Sequence, residues 1–230
     1  MLKIENFEVV GWEHAIRGMR NPMNSWDKSD SLFWATDSID PTEWGIAETV
    51  KSDIFSVHVG NADHTLMMNL AKGGPVHAKY RRMIAVYVDV TAPLYWWKEF
   101  DTYKVGTVRN SCSTMHKIHI KPFTIDDFSH DAIDEIDYAL EDFVHTVGTL
   151  ERLRLDFNET QDKKYWRAII QMLPDGFNMK ATLMLNYEVL AGLYPDRKHH
   201  KLDEWHVFCD WISELPYSEI ITGRVYDEEG

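Results

Sequence analysis

The chain has 230 residues, enough for one large domain or two small ones with a sizeable buried core. Its 24 lysines and arginines face 37 aspartates and glutamates, a formal net charge of −13, and that field disfavours sequence-independent binding of a DNA or RNA polymer. A nucleoside monophosphate is not excluded, because a few local cations can hold it against the global field.

Two cysteines, Cys112 and Cys209, make no CxxC, zinc spacing or disulfide framework, and the expected compartment is a reducing cytoplasm. The opening Met-Leu-Lys-Ile-Glu-Asn-Phe-Glu does not read as a signal or transit peptide, and no apolar run reaches membrane-spanning length. Nine tryptophans and ten tyrosines either fill core and interfaces or build a ring-stacking site. With no repeat, low-complexity tract or linker, residues 1–230 read as a single domain.

In chain order, Leu2 to Val10 reads as a strand. The stretch from Asn21 to Asp53 is turn-rich and aromatic, without a clear period. Asn61 is the expected N-cap of a helix through Ala71, which Gly73-Gly74-Pro75 stops. From Met83 to Val90 the chain alternates, with Ile84, Val86, Val88 and Val90 on one strand face. Pro93 suits the first turn of a helix through Trp96, Trp97 and Phe100. From Asp131 to Leu155 the residues Ile133, Ile136, Leu140, Phe143, Val147 and Leu150 are spaced as one helix face, a seam suited to packing on other helices, including those of another subunit. Further helices are expected over Gln161–Met172, Asn186–Tyr194 and Leu202–Leu215, with a strand or extended segment over Phe177–Met184 and an acidic, fraying tail after Pro216. The pattern is α+β, with a small antiparallel or mixed sheet, a long-helix bundle and no βαβ alternation.

Several clusters can carry chemistry. Lys79, Arg81 and Arg82 follow His77 as a basic island, which either pairs with surface carboxylates or binds an anion. Arg109-Asn-Ser-Cys-Ser-Thr-Met-His116 is rich in hydroxyl and amide groups, which serve turns or a phosphate. Cys112 has no identified base, so an inert thiol competes with a nucleophile. Arg167 stands on a mostly apolar helix ending at Leu173-Pro174, and Arg197 closes the segment that starts at Asn186; each needs an anion. His200 and Glu204 are spaced i, i+4, the separation of two metal ligands on one helix face, but a third ligand is missing and a solvated helix start competes. His116 and His119 share a metal only if their segment is helical. No metal site is expected.

In their order and spacing, over about His77 to Leu215, these clusters resemble the flavin-dependent thymidylate synthases. His77 falls at the family's histidine, and Pro93 and Lys98-Glu99-Phe100 align with the segment leading to the family's Arg-His-Arg, seven residues, Ser signature. Here the signature is Thr102-Tyr103-Lys104 with Cys112 at the serine position, or Ser111 or Ser113 with a one-residue slip. Arg167 loosely matches an arginine before Leu-Pro. Asn186-Tyr-Glu-Val-Leu190 and Arg197 match Asn-x-Arg-x-Leu and a later arginine, with Glu188 in the arginine's place. Lys104 keeps a positive charge but not the arginine fork.

The resemblance implies a homotetramer with sites between subunits. It implies a divergent enzyme acting on a pyrimidine deoxynucleotide, in which reduced flavin mediates methylene transfer from a folate to uracil C5 with NADPH as reductant. FAD is then the cofactor, and folate and NADPH are co-substrates. On this alignment Lys104, Ser111, Cys112, Ser113, Arg167, Arg197 and Glu99 are the nucleotide-binding candidates. His77, Lys79, Arg82, Tyr103 and Asn186 are the candidates beside flavin. The alternative is a nucleotide-binding or interaction protein of the same fold that has lost flavin binding and redox catalysis, which the missing Arg-His-Arg cations favour.

Overall fold

A computed structural model of the chain describes residues 2–35, 50–51 and 55–223. In order, these form β1 (Lys3–Val10), α1 (Trp12–Arg20), β2 (Leu32–Ala35), β3 (Val50–Lys51), β4 (Phe55–His58), α2 (Asn61–Lys72), β5 (Ala85–Pro93), α3 (Leu94–Phe100) and β6 (Val108–Ser111). They continue as α4 (Asp131–Asp134), α5 (Asp137–Thr160), α6 (Lys163–Met172), β7 (Asn178–Asn186), α7 (Tyr187–Arg197), α8 (Asp203–Glu214) and α9 (Glu219–Thr222). Four strands form a sheet in the order β1-β5-β7-β6, and β2-β4-β3 form a smaller antiparallel one. The α+β expectation therefore holds. Residues 36–49 and 52–53 of the aromatic stretch between Asn21 and Asp53 lie outside the described residues, as does the chain beyond Gly223; the part after Pro216 that is described does not fray but forms α9, with Ile220 and Ile221 buried.

The described residues group into two compact units. Unit 1 draws on 2–3, 90–102 and 110–182, and unit 2 on the described residues of 4–89, 103–109 and 183–223. In unit 1, Phe143, Val147 and Leu150 of α5 pack with Ile169 of α6 and with Ile118, Phe123 and Phe128. In unit 2, Trp12 meets the rings of Tyr187 and Tyr217 edge-on at 5.5 and 5.3 Å, and Trp205, Phe208 and Trp211 of α8 form a second ring cluster. The buried tryptophans are thus mainly core.

Alternation located β5 correctly: Ile84, Val86, Val88 and Val90 are all 1% exposed or less. The long helix expected from Asp131 is instead broken. Ile136 takes an extended conformation (φ −128°, ψ 98°), separating α4 from α5, and its side chain is 42% exposed. The next helix starts at Lys163 rather than Gln161. Gln161 is the left-handed C-cap of α5 (φ 58°), and the Asp162 side chain caps α6 by accepting from Lys164 N. Pro93 precedes the first turn of α3 as its N-cap residue.

The α2 cap is not Asn61, which is already helical. Gly60 is the N-cap residue, and the Asp30 carboxylate accepts from Ala62 N (2.9 Å) and Asp63 N (3.1 Å). A Cβ on Gly60 would lie 2.3 Å from that carboxylate, so the close approach requires glycine. Asp63 itself is fully buried. Its Oδ1 accepts from Arg20 Nε at 2.6 Å, and its Oδ2 accepts from the Ser29 and Ser31 hydroxyls and from the Asp30 and Ser31 amides. Burial pushes the Asp63 carboxyl upward, but the hydrogen bonds from Ser31, Ser29 and Arg20, with the Arg20 charge, outweigh it and hold it below the ordinary range.

Asp63→Asn leaves the Arg20 guanidinium buried without its counter-charge and is expected to cost about 3–5 kcal/mol in urea unfolding at neutral pH. The folded pKa lies below the unfolded value of 3.8, so this stabilisation is present above 3.8 and is lost as pH falls through the folded value. Stability measured against pH should fall more steeply below 3.8 in the wild type than in the variant; parallel curves would contradict the assignment.

Candidate functional site

Unit 1 contains a cleft of about 540 Å³, within the range of about 300–1,000 Å³ typical of small-ligand sites. Its lining joins the end of β6, the turns that follow and the start of β7. Cys112, Ser113 and Thr114 directly follow β6, and Phe177, Asn178, Met179 and Lys180 run into and along β7. Strand pairing explains the meeting: Cys112 N donates to Lys180 O at 2.9 Å, carrying the β6–β7 ladder one residue past Ser111. The connecting segment adds Lys117, Ile118, Ile120, Lys121, Pro122 and Phe123, and Thr91 of β5 completes one side with Asp127.

This segment has little secondary structure and is held by side chains. Trp166 Nε1 of α6 donates to Met115 O at 3.0 Å. On α5, Asn158 Nδ2 and the Arg154 guanidinium donate to His119 O, while Glu151 Oε2 accepts from Phe123 N at 2.9 Å. Glu151 and Arg154 pair through two contacts of 2.7 and 2.6 Å. The hydrogen bonds from Arg154 hold Glu151 below the usual carboxylate range against its burial, with help from the Phe123 amide. Ser113 Oγ accepts from His116 N at 3.0 Å, which leaves its O–H free to donate elsewhere.

Among the nucleotide candidates, Cys112 and Ser113 line this cleft; Ser111 adjoins it as the last residue of β6. Glu99, on α3, and Arg167, exposed on α6, belong to unit 1 but are not among its lining residues. Lys104 and Arg197 belong to unit 2. Arg197 stacks over the Trp205 ring at 4.6 Å and the Tyr103 ring at 5.4 Å, and its Nε donates to Tyr103 Oη at 2.8 Å. It is thereby built into an aromatic cluster of its own unit.

The candidates beside flavin all fall in unit 2. His77 lies against Gly73, where a Cβ would come within 3.1 Å of its ring. Lys79 and Arg82 are exposed on a 3₁₀ turn, Lys79–Met83, but Arg81 between them is half-buried and paired with Glu188 at 3.5 Å. Asn186 Oδ1 caps α7 by accepting from Glu188 N and Val189 N, and its amide nitrogen faces Gly106. Lys79 and Arg82 are exposed cations and Asn186 carries an amide donor, groups of the kind a cofactor diphosphate takes.

Neither histidine pairing weighed in the sequence takes the geometry of a metal pair. His200 precedes α8 and its Nδ1 accepts from Leu202 N, so it does not share a helix face with Glu204. His116 and His119 lie in turns, with the His119 ring against Phe157 at 4.9 Å. Among the described residues no group of three or more His, Cys, Asp or Glu is arranged to hold a metal. Sequence reasoning missed Lys117, Lys121 and Lys180 and the wall of Phe123, Phe177 and Met179. The signal for the first two was present in His116-Lys-Ile-His-Ile-Lys121, a basic run directly after the hydroxyl-rich segment.

The whole-chain fold is similar to known enzymes. A thymidylate synthase X from Helicobacter pylori, solved with FAD and dUMP, matches with a TM-score of 0.62 at 12% identity, over 96% of this chain and 97% of that one. A flavin-dependent thymidylate synthase ThyX from the same organism, complexed with FAD and dUMP, matches with a TM-score of 0.60 at 12% identity, over 96% and 98%. At that identity the likeness shows the fold. No family model matches the chain. No curated protein matches it by sequence. No helix among the described residues is long and apolar enough to cross a membrane.

The two thiols differ in environment. Burial, with Asp210 nearby, pushes Cys209 up to about 11, whereas Cys112 is exposed at the cleft. Iodoacetamide at about pH 8 is expected to alkylate Cys112 in the native protein and Cys209 only after denaturation, read by peptide mass spectrometry. Equal native labelling of both would contradict these placements.

Proposed function

We propose that the chain is a divergent thymidylate synthase-like protein whose unit 1 cleft takes a pyrimidine deoxynucleotide of the dUMP type. The observation that carries this reading is a cleft containing Cys112 and Ser113, the signature-serine region of the resemblance, in a fold similar along 96% of the chain to enzymes solved with dUMP. Ser113 supplies a hydroxyl donor, the Phe123 and Phe177 rings give an apolar wall for a base, and the lysines supply positive charge.

FAD is the proposed cofactor, with Lys79, Arg82 and Asn186 as its donors. When bound, reduced flavin supplies redox chemistry that no side chain here provides, with folate and NADPH as co-substrates. The chain's own part is to hold and orient the nucleotide. A homotetramer acting in the cytoplasm, with no nucleic-acid or membrane partner, completes the reading. A second reading, nucleotide binding without flavin, is favoured by one specific arrangement. Tyr103 stands in the signature's central position, and its hydroxyl is taken by Arg197.

The test uses the purified full chain with dUMP and FAD, alone and together. dUMP is expected to raise Tm and to slow alkylation of Cys112. FAD is expected to change its visible spectrum on binding, and its reduced form to reoxidise faster with dUMP and the folate donor. A dUMP effect without any flavin response selects the second reading. No response to dUMP or to any other pyrimidine deoxynucleotide contradicts both.

A further inference from the structure

From the cleft lining we infer that Lys117, Lys121 and Lys180 form the anchor for the phosphate of a phosphomonoester ligand. No alignment position assigns these lysines a role. The inference rests on the reading of the cleft as a nucleotide site and specifies which atoms hold the charged group.

The local charge is the first argument. In a chain of net charge −13, this cleft carries three ammonium groups and one carboxylate, Asp127. Oδ2 of that carboxylate accepts from Thr124 N at 2.8 Å and from Thr124 Oγ1 at 3.0 Å, closing a capping box. Lys117 and Lys121 are exposed and have no ion-pair partner among the described residues. Lys117 and Lys121 thus bring two exposed cations to one lining, a local positive field that favours an incoming anion.

The second argument is the scaffold. Lys180 sits on β7, paired to Cys112 through the backbone. Lys117 and Lys121 flank His119, whose carbonyl is gripped by Arg154 and Asn158, and Lys117 O accepts from Ile120 N at 3.1 Å. The backbone that carries the lysines is therefore fixed, while their flexible stems let each compact ammonium adjust to a tetrahedral oxyanion. The free O–H of Ser113 and the hydroxyl of Thr114 on the same lining add neutral donors.

The test is calorimetric titration of the full chain with dUMP, deoxyuridine and inorganic phosphate, in the wild type and in a Lys117→Gln/Lys121→Gln double variant. Both positions are exposed, and an unchanged Tm without ligand checks that the variant folds. The expected result is at least about a tenfold loss of dUMP affinity in the variant, one charge-assisted contact or more, with the weaker deoxyuridine binding unchanged. Lys180→Met should show the same selective loss. A variant that binds dUMP within twofold of the wild type overturns the lysine anchor and leaves the nucleotide reading standing. Lysine-dependent binding of inorganic phosphate, with dUMP no tighter than phosphate, supports the anchor and overturns the nucleotide reading. A wild type that binds none of the three overturns both.

Discussion

The grip of α5 on the segment after β6 is the constraint on which the cleft depends. Residues 112–123 carry most of the lining and have almost no regular structure to fix them. Glu151 and Arg154, one helical turn apart, do that work from both ends of their ion pair: the carboxylate takes the Phe123 amide and the guanidinium reaches the His119 carbonyl. Asn158, a turn further on, shares that carbonyl. A partly buried pair of this kind is weak evidence for net stability, because desolvation offsets much of its attraction. Its value here is geometric, since the pair converts a loop into a wall.

Unit 2 uses its charges differently. Arg81 and Glu188 neutralise each other, and Arg197 is spent on Tyr103 and Trp205. Residues that look like free anion-binding cations in the sequence thus become internal supports. The pairing of Glu188 with Arg81 also gives the acidic residue at that position a physical reason: an arginine there would face another arginine.

What could be read in the sequence follows the range of the interactions. Local periodicity located β5, α6, α7 and α8 because each writes its buried face within its own residues. It joined α4 to α5 because the 3-4 spacing runs through Ile136 while the backbone does not. It named Asn61 as a cap because the real capping carboxylate, Asp30, arrives from a distant part of the chain. The candidate site follows the same rule. Cys112 and Ser113 were legible as a hydroxyl-rich segment, whereas Lys180 joins them only through strand pairing, and Arg167 faces solvent although its helix was correctly placed.

The chain of cause therefore runs from an ion pair on one helix, through a fixed loop, to a charged cleft in a fold shared with nucleotide enzymes. Its central claim is that this cleft is where the nucleotide sits. A crystal structure with 5-bromo-dUMP, read by the anomalous signal of bromine, tests that claim most directly. The account predicts a bromine peak inside the cleft of unit 1, beside the Phe123 and Phe177 wall, with the phosphate on the lysines. A bromine peak elsewhere, with this cleft holding only solvent, would contradict it.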